Sequence, residues 1–298
     1  MSRGRWLRRL WRSSTGRFGL IVVGVVAAVA LVSVFWTPFS TRRTDVADRW
    51  ALPGWPHLLG TDGTGRDILS LIMAGSKTAV LVAVGAGAIA TVIGLALAAL
   101  GALTARWIRE STAVLVDILI AFPVLLIAMM ISAVWGGSLW VVIWSVGIGF
   151  GVNIARVTRP ELRRVLHSDF VLAGRASGLT PAQNLWRHLL PNVAPVFIVQ
   201  LSWGMAIAVL AEAGLSYLGF GAPVTEPSWG VLLAELQRQI TVHPIAVVWP
   251  GLAITLTVLG LNLLGDSLRD ATDPTLSRGR DPMAPPREAI RHVPGVRA

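Results

Sequence analysis

Between two strongly apolar runs lies RVTRPELRRVLHSDFVLAGRASGLTPAQNLWRHLLP (Arg156–Pro191), a polar stretch that carries six arginines. The apolar runs are LWVVIWSVGIGFGVNIA (139–155) before it and VAPVFIVQLSWGMAIAVLA (193–211) after it. Each run is long enough to cross a bilayer as a helix, and two such crossings need only a few residues to connect them. The stretch, called the polar island below, is too long for a simple turn, and its length favours a docking surface for another protein.

The composition is that of a protein embedded in a membrane. Apolar residues make up 54% of the 298 residues and charged residues 14%, against about 25% charged residues in an ordinary soluble domain. Six apolar blocks are long enough to span the hydrocarbon core with every backbone group bonded inside the helix. These blocks are 19–36, 79–103, 112–134, 138–155, 194–215 and 245–265. The sequence therefore predicts an all-α membrane protein with six transmembrane helices.

The basic residues predict the orientation of these helices. Twenty of the 26 Lys and Arg residues fall in the two termini, in the short connection 104–111 and in the polar island. Cytoplasmic segments of multi-span membrane proteins carry the excess of Lys and Arg, so both termini and the polar island are predicted to be cytoplasmic. Nucleic-acid binding, which a pI near 11.6 could also indicate, is the weaker interpretation because no aromatic and basic binding motif accompanies the arginines.

The sequence lacks the usual signs of catalysis and of metal binding. There is no Cys, and the five His residues are scattered without ligand spacing, so no metal site is predicted. The sequence contains no phosphate-binding loop that ends in Lys-Ser/Thr and no Ser-His-Asp spacing. We therefore expect no catalytic residue, no cofactor bound by this chain and no ATP hydrolysis by this chain alone.

Two short helices are predicted within the polar island. Ser168 is suited to cap the first helix, which should end at Gly178, a residue suited to a left-handed backbone conformation. The sequence TPAQ (180–183) is typical of a capping box that begins a second helix, and Pro191 is expected to end it. Small residues along the first helix would let the backbone of another protein approach closely. A capped helix pair at the membrane surface without a partner is the alternative, and the helix signals leave both open.

The run AGRASG, followed twelve residues later by LP, resembles the EAA loop in the permease subunits of bacterial ABC importers. This resemblance implies that the polar island holds the coupling helix, which sits in a cleft of the ATPase subunit. The residues implied to contact the ATPase are Ala173, Gly174, Arg175, Ala176, Gly178, Leu190 and Pro191. Leu172 stands where the family has its glutamate, and Gly174 stands where the family has its second alanine.

Four further stretches resemble the C-type permeases for peptides and nickel. They are HLLGTDGTGRDILSLIMAGSKTAVLVAV (57–84), VDILIAFPVLLIAM (116–129), EAGLSYLGFGAPVTEPSWGVLL (212–233) and NLLGDSLRDATDP (262–274). The resemblance implies the type-1 ABC importer permease fold, with this chain forming half of a pore beside a homologous permease in the plasma membrane. It also implies two ATPase subunits that bind ATP and Mg, and an extracytoplasmic binding protein that delivers the substrate.

The resemblance further implies import of dipeptides or oligopeptides, driven by the partner ATPases, with no bond-breaking step in this chain. Import of nickel, glutathione or a sugar oligomer by the same fold is the first alternative. A membrane-embedded enzyme or scaffold is the second. It would need paired carboxylates or histidines within the spans, where the sequence has only isolated acids.

The chain is expected to divide into four parts. They are a basic cytoplasmic tail (1–18), a first transmembrane helix with an extracytoplasmic segment (19–77), a permease domain (78–266) and a cytoplasmic tail (267–298). The last part is expected to be disordered because it is polar and rich in proline.

Glu212 lies near the outer end of the fifth apolar block, before glycines that indicate a bent, re-entrant segment. A carboxylate at the bilayer centre costs about 2.5–3.5 kcal/mol, so Glu212 should face protein or water. Lining the translocation cavity and fixing the bend through backbone N–H groups are equally favoured. The residues expected at this translocation path or outer gate are Glu212, Tyr217, Gly219 and Gly221. On the same side, residues 60–67 are expected to form a tight turn whose Asp–Arg pair caps the second span.

Overall fold

The computed structural model describes residues 10–11 and 13–272, and helices account for most of this part of the chain. The helices, in chain order, are α1 (Ser14–Phe35), α2 (Ile68–Leu103), α3 (Arg106–Ala121), α4 (Val124–Trp135), α5 (Leu139–Leu166), α6 (Asp169–Ala176), α7 (Pro181–Asn184), α8 (Leu190–Tyr217), α9 (Trp229–Gln237) and α10 (Pro244–Thr272). A π-helical turn, Leu185–Leu189, joins α7 to α8. The disorder predicted for the C-terminal tail concerns residues that lie almost entirely outside the described ones.

Five of the six predicted apolar blocks are single helices long and apolar enough to cross a membrane. The third block, 112–134, instead forms two helices, α3 and α4, which meet at an angle of 72°. Pro123 causes this break, because proline has no N–H to donate to the preceding turn. Phe122 before it takes an extended conformation, with φ −90° and ψ 125°, as a residue before proline prefers.

The bent pair α3–α4 crosses the bundle despite its break. Near the start of α3, Arg159 of α5 donates from Nε to the Gly101 carbonyl oxygen at the end of α2, over 3.0 Å. Beyond the end of α4, a Cβ atom at Gly137 would lie 3.0 Å from the carbonyl oxygen of Gly221, in the turn after α8. These two contacts lie at opposite ends of the bundle, so the pair is one broken span and the chain crosses six times.

Close packing of α2 against α5 forms the centre of the bundle. A Cβ atom at Gly147 would lie 2.8 Å from the Cβ atom of Ile89, and one at Gly94 would lie 2.7 Å from the Cγ2 atom of Ile154. Small residues allow such close approach, which drives helix association where lipid supplies no hydrophobic driving force. Side chains of α4 and α8 complete this core, whose buried members include Val82, Ala86, Ala128, Val142, Ile143, Val146 and Ala208.

The helices α2 and α5 extend furthest beyond the apolar blocks that predicted them. The helix α2 begins at Ile68, whereas its apolar block begins at residue 79. The Asp67 carboxylate caps the start of α2, because it accepts a hydrogen bond from the Ser70 backbone N–H (2.8 Å). The α5 helix runs eleven residues beyond its block, because Leu162 and Val165 continue its buried stripe. The predicted domain boundary at residues 77 and 78 falls inside α2, and the division into four parts stays a prediction.

The helix α1 packs on α10 at the island end of the bundle. Ser13 caps α1 by accepting a hydrogen bond from the Gly16 backbone N–H (3.3 Å). The hydroxyl oxygens of Thr15 and Ser267 lie 3.2 Å apart, which joins the first turns of α1 to the last turns of α10. The start of α1 and the end of α10 therefore lie side by side.

Candidate coupling surface and outer turn

The polar island contains two short helical segments that meet at Gly178. The first, α6, is closed by Gly178, which lies two residues after its last residue and has φ +82°. The Leu179 backbone N–H donates to the Gly174 carbonyl oxygen over 3.1 Å. This is the pattern of a helix end closed by a left-handed glycine. The second segment begins with the predicted capping box. The Thr180 N–H donates to Gln183 Oε1 (2.9 Å), and the Gln183 N–H donates to Thr180 Oγ1 (3.3 Å). Both predictions are confirmed.

Two other predictions for the island have a different outcome. Ser168 stands directly before α6, as predicted, and its backbone carbonyl oxygen accepts from the Val171 and Leu172 N–H groups, while its hydroxyl donates to the Val165 carbonyl oxygen over 2.5 Å. The second helical segment does not end before Pro191 but continues through the π-helical turn into α8. Pro191 is the second residue of α8, directly after the π-helical turn. The bonding register changes there, and the missing N–H of proline is tolerated.

Asn184 ties the two segments of the island together. Its Nδ2 donates to the Val171 carbonyl oxygen of α6 over 3.2 Å, and the side chain is 3% exposed. A Cβ atom at Gly174 would lie 3.1 Å from Asn184 Oδ1, so Gly174 faces inward against the second segment. Buried aliphatic side chains beneath the helices anchor the island to α5 and α8, namely Leu162, Val165, Val171, Leu189 and Val193. The island is therefore a packed unit, continuous with two membrane helices.

Small residues form part of the exposed surface of α6 and of the turn after it. Ala173, Ala176, Ser177 and Gly178 are exposed, and we call them the small-residue face. Leu172, at the family's glutamate position, is 50% exposed beside them. Of the remaining residues implied to couple to an ATPase, Arg175 lies in α6, Leu190 is half-buried and Pro191 is exposed at the start of α8. Gly174 is the member that turns away from this surface.

At the other end of the bundle, the carboxylate of Glu212 is the centre of a buried hydrogen-bond network. Glu212 is 1% exposed, and its Oε1 accepts hydrogen bonds from the hydroxyls of Ser216 and Ser228, each over 2.7 Å. The Ser216 oxygen in turn accepts from the Ala222 backbone N–H (2.8 Å), and the Ser228 oxygen accepts from the Gly230 backbone N–H (3.1 Å). The structure thus favours the interpretation in which Glu212 fixes the bend, with two serines between the carboxylate and the backbone.

The turn after α8 requires glycine at two positions. Gly219 has φ +83°, its N–H donates to the Ser216 carbonyl oxygen (3.1 Å), and the Phe220 N–H donates to the Leu215 carbonyl oxygen (2.7 Å). A Cβ atom at Gly221 would overlap Ser216. This pair of bonds reverses the chain directly after the membrane helix. Tyr217, in the last turn of α8, is half-buried.

Arg66 joins the segment before α2 to α9. Its Nε lies 2.7 Å from Asp62 Oδ2, and its Nη2 lies 2.6 Å from Glu235 Oε2. Burial alone would lower the pKa of Arg66, but the two carboxylates outweigh burial and raise it. The predicted Asp–Arg pair is therefore present, although Asp67, and not this pair, caps α2.

Sequence reasoning missed three residues of this outer region and one of the island. Ser216 stands four residues after Glu212, a spacing that could have indicated a hydrogen bond along one helix face. Ser228, Glu235 and Asn184 carried no such signal, because their partners belong to other segments of the chain.

Comparison with known proteins gives the family. Residues 90–278 match the family described as the inner membrane component of binding-protein-dependent transport systems. The chain belongs to this family. A relative from Brucella suis biovar 1, named as a peptide permease, is 31% identical over 272 residues, which cover 91% of this chain and 90% of the relative. The dipeptide transport system permease protein DppC of Alkalihalophilus pseudofirmus is 32% identical over 90% of this chain and 88% of its own length.

The fold is shared with a solved ABC transporter. The structure of the MetNI methionine ABC transporter in an inward-facing conformation matches with a TM-score of 0.56 and 19% identity, over 68% of this chain and 97% of the matched chain. The resemblance to ABC importer permeases and the predicted fold class are confirmed. The chain is a multi-span, non-catalytic component of an ABC importer in the inner membrane, and it works with ATPase subunits and a binding protein. The roles of the individual site residues stay predictions.

Proposed function

We propose that this chain is a permease subunit for dipeptides or oligopeptides, paired in the membrane with a homologous permease. Support comes from the relatives named as peptide and dipeptide permeases, which align over nine tenths of the chain. ATP and Mg would bind to the partner ATPases, and a binding protein would deliver the peptide at the outer end. The chain itself would conduct the substrate and transmit the motion of the ATPases.

The observation that carries the coupling role is the small-residue face on a packed island. Ala173 and Ala176 present little side-chain bulk, so the backbone of a partner can approach closely. Asn184 and the buried aliphatic cluster hold this surface to the ends of α5 and α8. Motion of a docked ATPase would therefore pass directly into two membrane helices and shift the bundle between inward and outward access.

The proposed orientation places the termini and the polar island in the cytoplasm. The arginine excess at the island end supports it, because positive residues are retained on the cytoplasmic side. The opposite end, with Glu212, Arg66 and α9, would then face the binding protein. The ATPases would meet the island end, where the polar island lies packed between α5 and α8.

Uptake of a toxic dipeptide tests the substrate. A strain that lacks the gene should resist the peptide, and a plasmid that carries the wild-type chain should restore sensitivity. Nickel uptake measured in the same strains provides the comparison with the alternative substrate. Unchanged peptide sensitivity together with lost nickel uptake would contradict the peptide assignment and leave the permease function standing.

A further inference from the structure

A basic cleft opens between α3 and α5 at the island end of the bundle. It has a volume of about 210 Å³, and three arginines of α5 line it: Arg156, Arg159 and Arg163. Their spacing of three and four residues places them on one face of the helix. No residue of the small-residue face lines the cleft, and the proposed coupling role does not use it.

The arginines in the cleft lack acidic partners. Among the described residues, no carboxylate oxygen lies within 4.0 Å of the guanidinium nitrogens of Arg156, Arg159 or Arg163. Two other arginines at this end are paired with acids. Arg164 bonds to Glu161 (2.5 Å), and Arg106 bonds to Glu110 (2.7 Å). The positive charge of the cleft is therefore available to an anion.

One acid and one internal bond limit that charge. Asp117 lines the cleft from α3 and is exposed, so the four charged side chains together carry a net charge of +2. Arg159 uses its Nε to bond the Gly101 carbonyl oxygen, which fixes its position. The guanidinium groups of Arg156 and Arg163 have no hydrogen-bond or ion-pair partner among the described residues, and they are the cations free to bind a ligand.

Part of the cleft wall is apolar, and the depth of the cleft matches the membrane interface. This apolar wall is formed by Leu97 of α2, Ala113 and Val116 of α3 and Ala155 of α5. Trp107, near the start of α3, is 71% exposed, and such tryptophans mark the level of the lipid headgroups. Thr112 of the cleft lies five residues further along α3, which is about 7.5 Å along the helix axis. A ligand that suits the cleft has an anionic end and an apolar body.

We propose that this cleft binds an anionic phospholipid, with the headgroup phosphate between Arg156 and Arg163 and an acyl chain along the apolar wall. Basic pockets between membrane helices on the cytoplasmic side bind such headgroups. A soluble phosphate ion could use the same two arginines, but it would leave the apolar wall without a partner. The assignment uses the cytoplasmic orientation proposed above and does not depend on the transported substrate.

Lipid titration of the purified transport complex containing the full chain tests this proposal. Native mass spectrometry would count bound phosphatidylglycerol, with phosphatidylcholine of the same acyl chains as the neutral comparison. Arg156→Gln combined with Arg163→Gln should weaken phosphatidylglycerol binding at least about tenfold, because each basic residue near an anionic headgroup contributes to attraction. Arg106→Gln combined with Arg164→Gln removes the same charge outside the cleft and should leave binding unchanged.

Two further arms separate the lipid from its alternatives. Arg156→Lys combined with Arg163→Lys keeps the charge and should retain most of the binding, which shows that loss in the Gln pair is not misfolding. Competition by millimolar inorganic phosphate or glycerol phosphate as strong as that by the lipid would overturn the lipid assignment. Equal phosphatidylglycerol binding in the wild type and in the Arg156/Arg163 Gln pair would also overturn it. The assay does not measure transport, so its failure leaves the proposed function untouched.

Discussion

At the scale of single residues, Gly178 and Glu212 determine the two candidate sites in different ways. Gly178 acts through its backbone, since it has φ +82° and no atom lies within 4 Å of where a Cβ would stand. Glu212 acts through its side chain, which accepts hydrogen bonds from two serine hydroxyls. The oxygens of these serines in turn accept hydrogen bonds from two backbone N–H groups. The first was predictable because a helix end is a local pattern. The bond from Glu212 to Ser228 was not, because sixteen residues and a chain reversal separate them.

Replacement of Gly178 by valine should weaken coupling without preventing membrane insertion. A β-branched residue in the left-handed region costs about 1–2 kcal/mol, and this cost should distort the junction of the two island segments. Gly178→Asn is the matched control, because asparagine tolerates this conformation better. The measurement is the amount of ATPase that co-purifies with each variant. Equal recovery of the ATPases with Gly178→Val and Gly178→Asn would show that the left-handed turn does not matter for docking.

Removal of either serine beside Glu212 should destabilise the outer turn. Ser228→Ala leaves the buried carboxylate with one hydrogen bond fewer and leaves the Gly230 N–H without its cap, at a cost of about 1–3 kcal/mol. Ser40→Ala, an exposed serine at the same end of the bundle, is the control. Thermal unfolding in detergent should show a lower midpoint for Ser228→Ala alone. A midpoint identical to that of the control would mean that the network does not hold the turn.

At the scale of helices, the main differences from prediction come from proline and from contacts distant in sequence. Pro123 lies inside an apolar block that hydropathy treats as continuous, and it breaks that block into α3 and α4. Pro191 was expected to end a helix, yet the π-helical turn before it accommodates it. Hydropathy located all six crossings, because length and apolar character decide membrane insertion. Hydropathy could not predict the ion pair between Arg66, in the segment before α2, and Glu235 of α9.

Neutralisation of Glu235 should loosen α9 from the rest of the outer region. Glu235→Gln removes one of the two carboxylates around Arg66, and a half-buried ion pair of this kind contributes about 1 kcal/mol or less. Glu226→Gln, an exposed acid on the preceding turn, makes the same change in charge. Limited proteolysis from the outer side should cut faster between α8 and α10 in Glu235→Gln only. Identical cutting rates in the two variants would contradict the role given to this ion pair.

At the scale of the whole molecule, the six crossings and the arginine asymmetry predict one orientation. The chain has no Cys, so single cysteines at Thr44 and Ser168 can report on the two ends separately. Thr44 lies in the segment between α1 and α2, and Ser168 lies in the polar island. A membrane-impermeant thiol reagent added outside should label Thr44→Cys and should label Ser168→Cys only after the membrane is opened. The reverse pattern would invert the proposed orientation.

The central claim is that the small-residue face receives the ATPase, and bulk placed on that face tests it most directly. Ala176→Trp adds a large side chain to the exposed side of α6, while Ala47→Trp adds the same bulk to an exposed alanine at the outer end. Each variant would be purified with its partners, and the co-purified ATPases and the substrate-stimulated ATP hydrolysis would be measured. Ala176→Trp should lose ATPase association or stimulated hydrolysis, whereas Ala47→Trp should keep the association. Wild-type values of both quantities for Ala176→Trp would contradict the assignment of the polar island as the docking element.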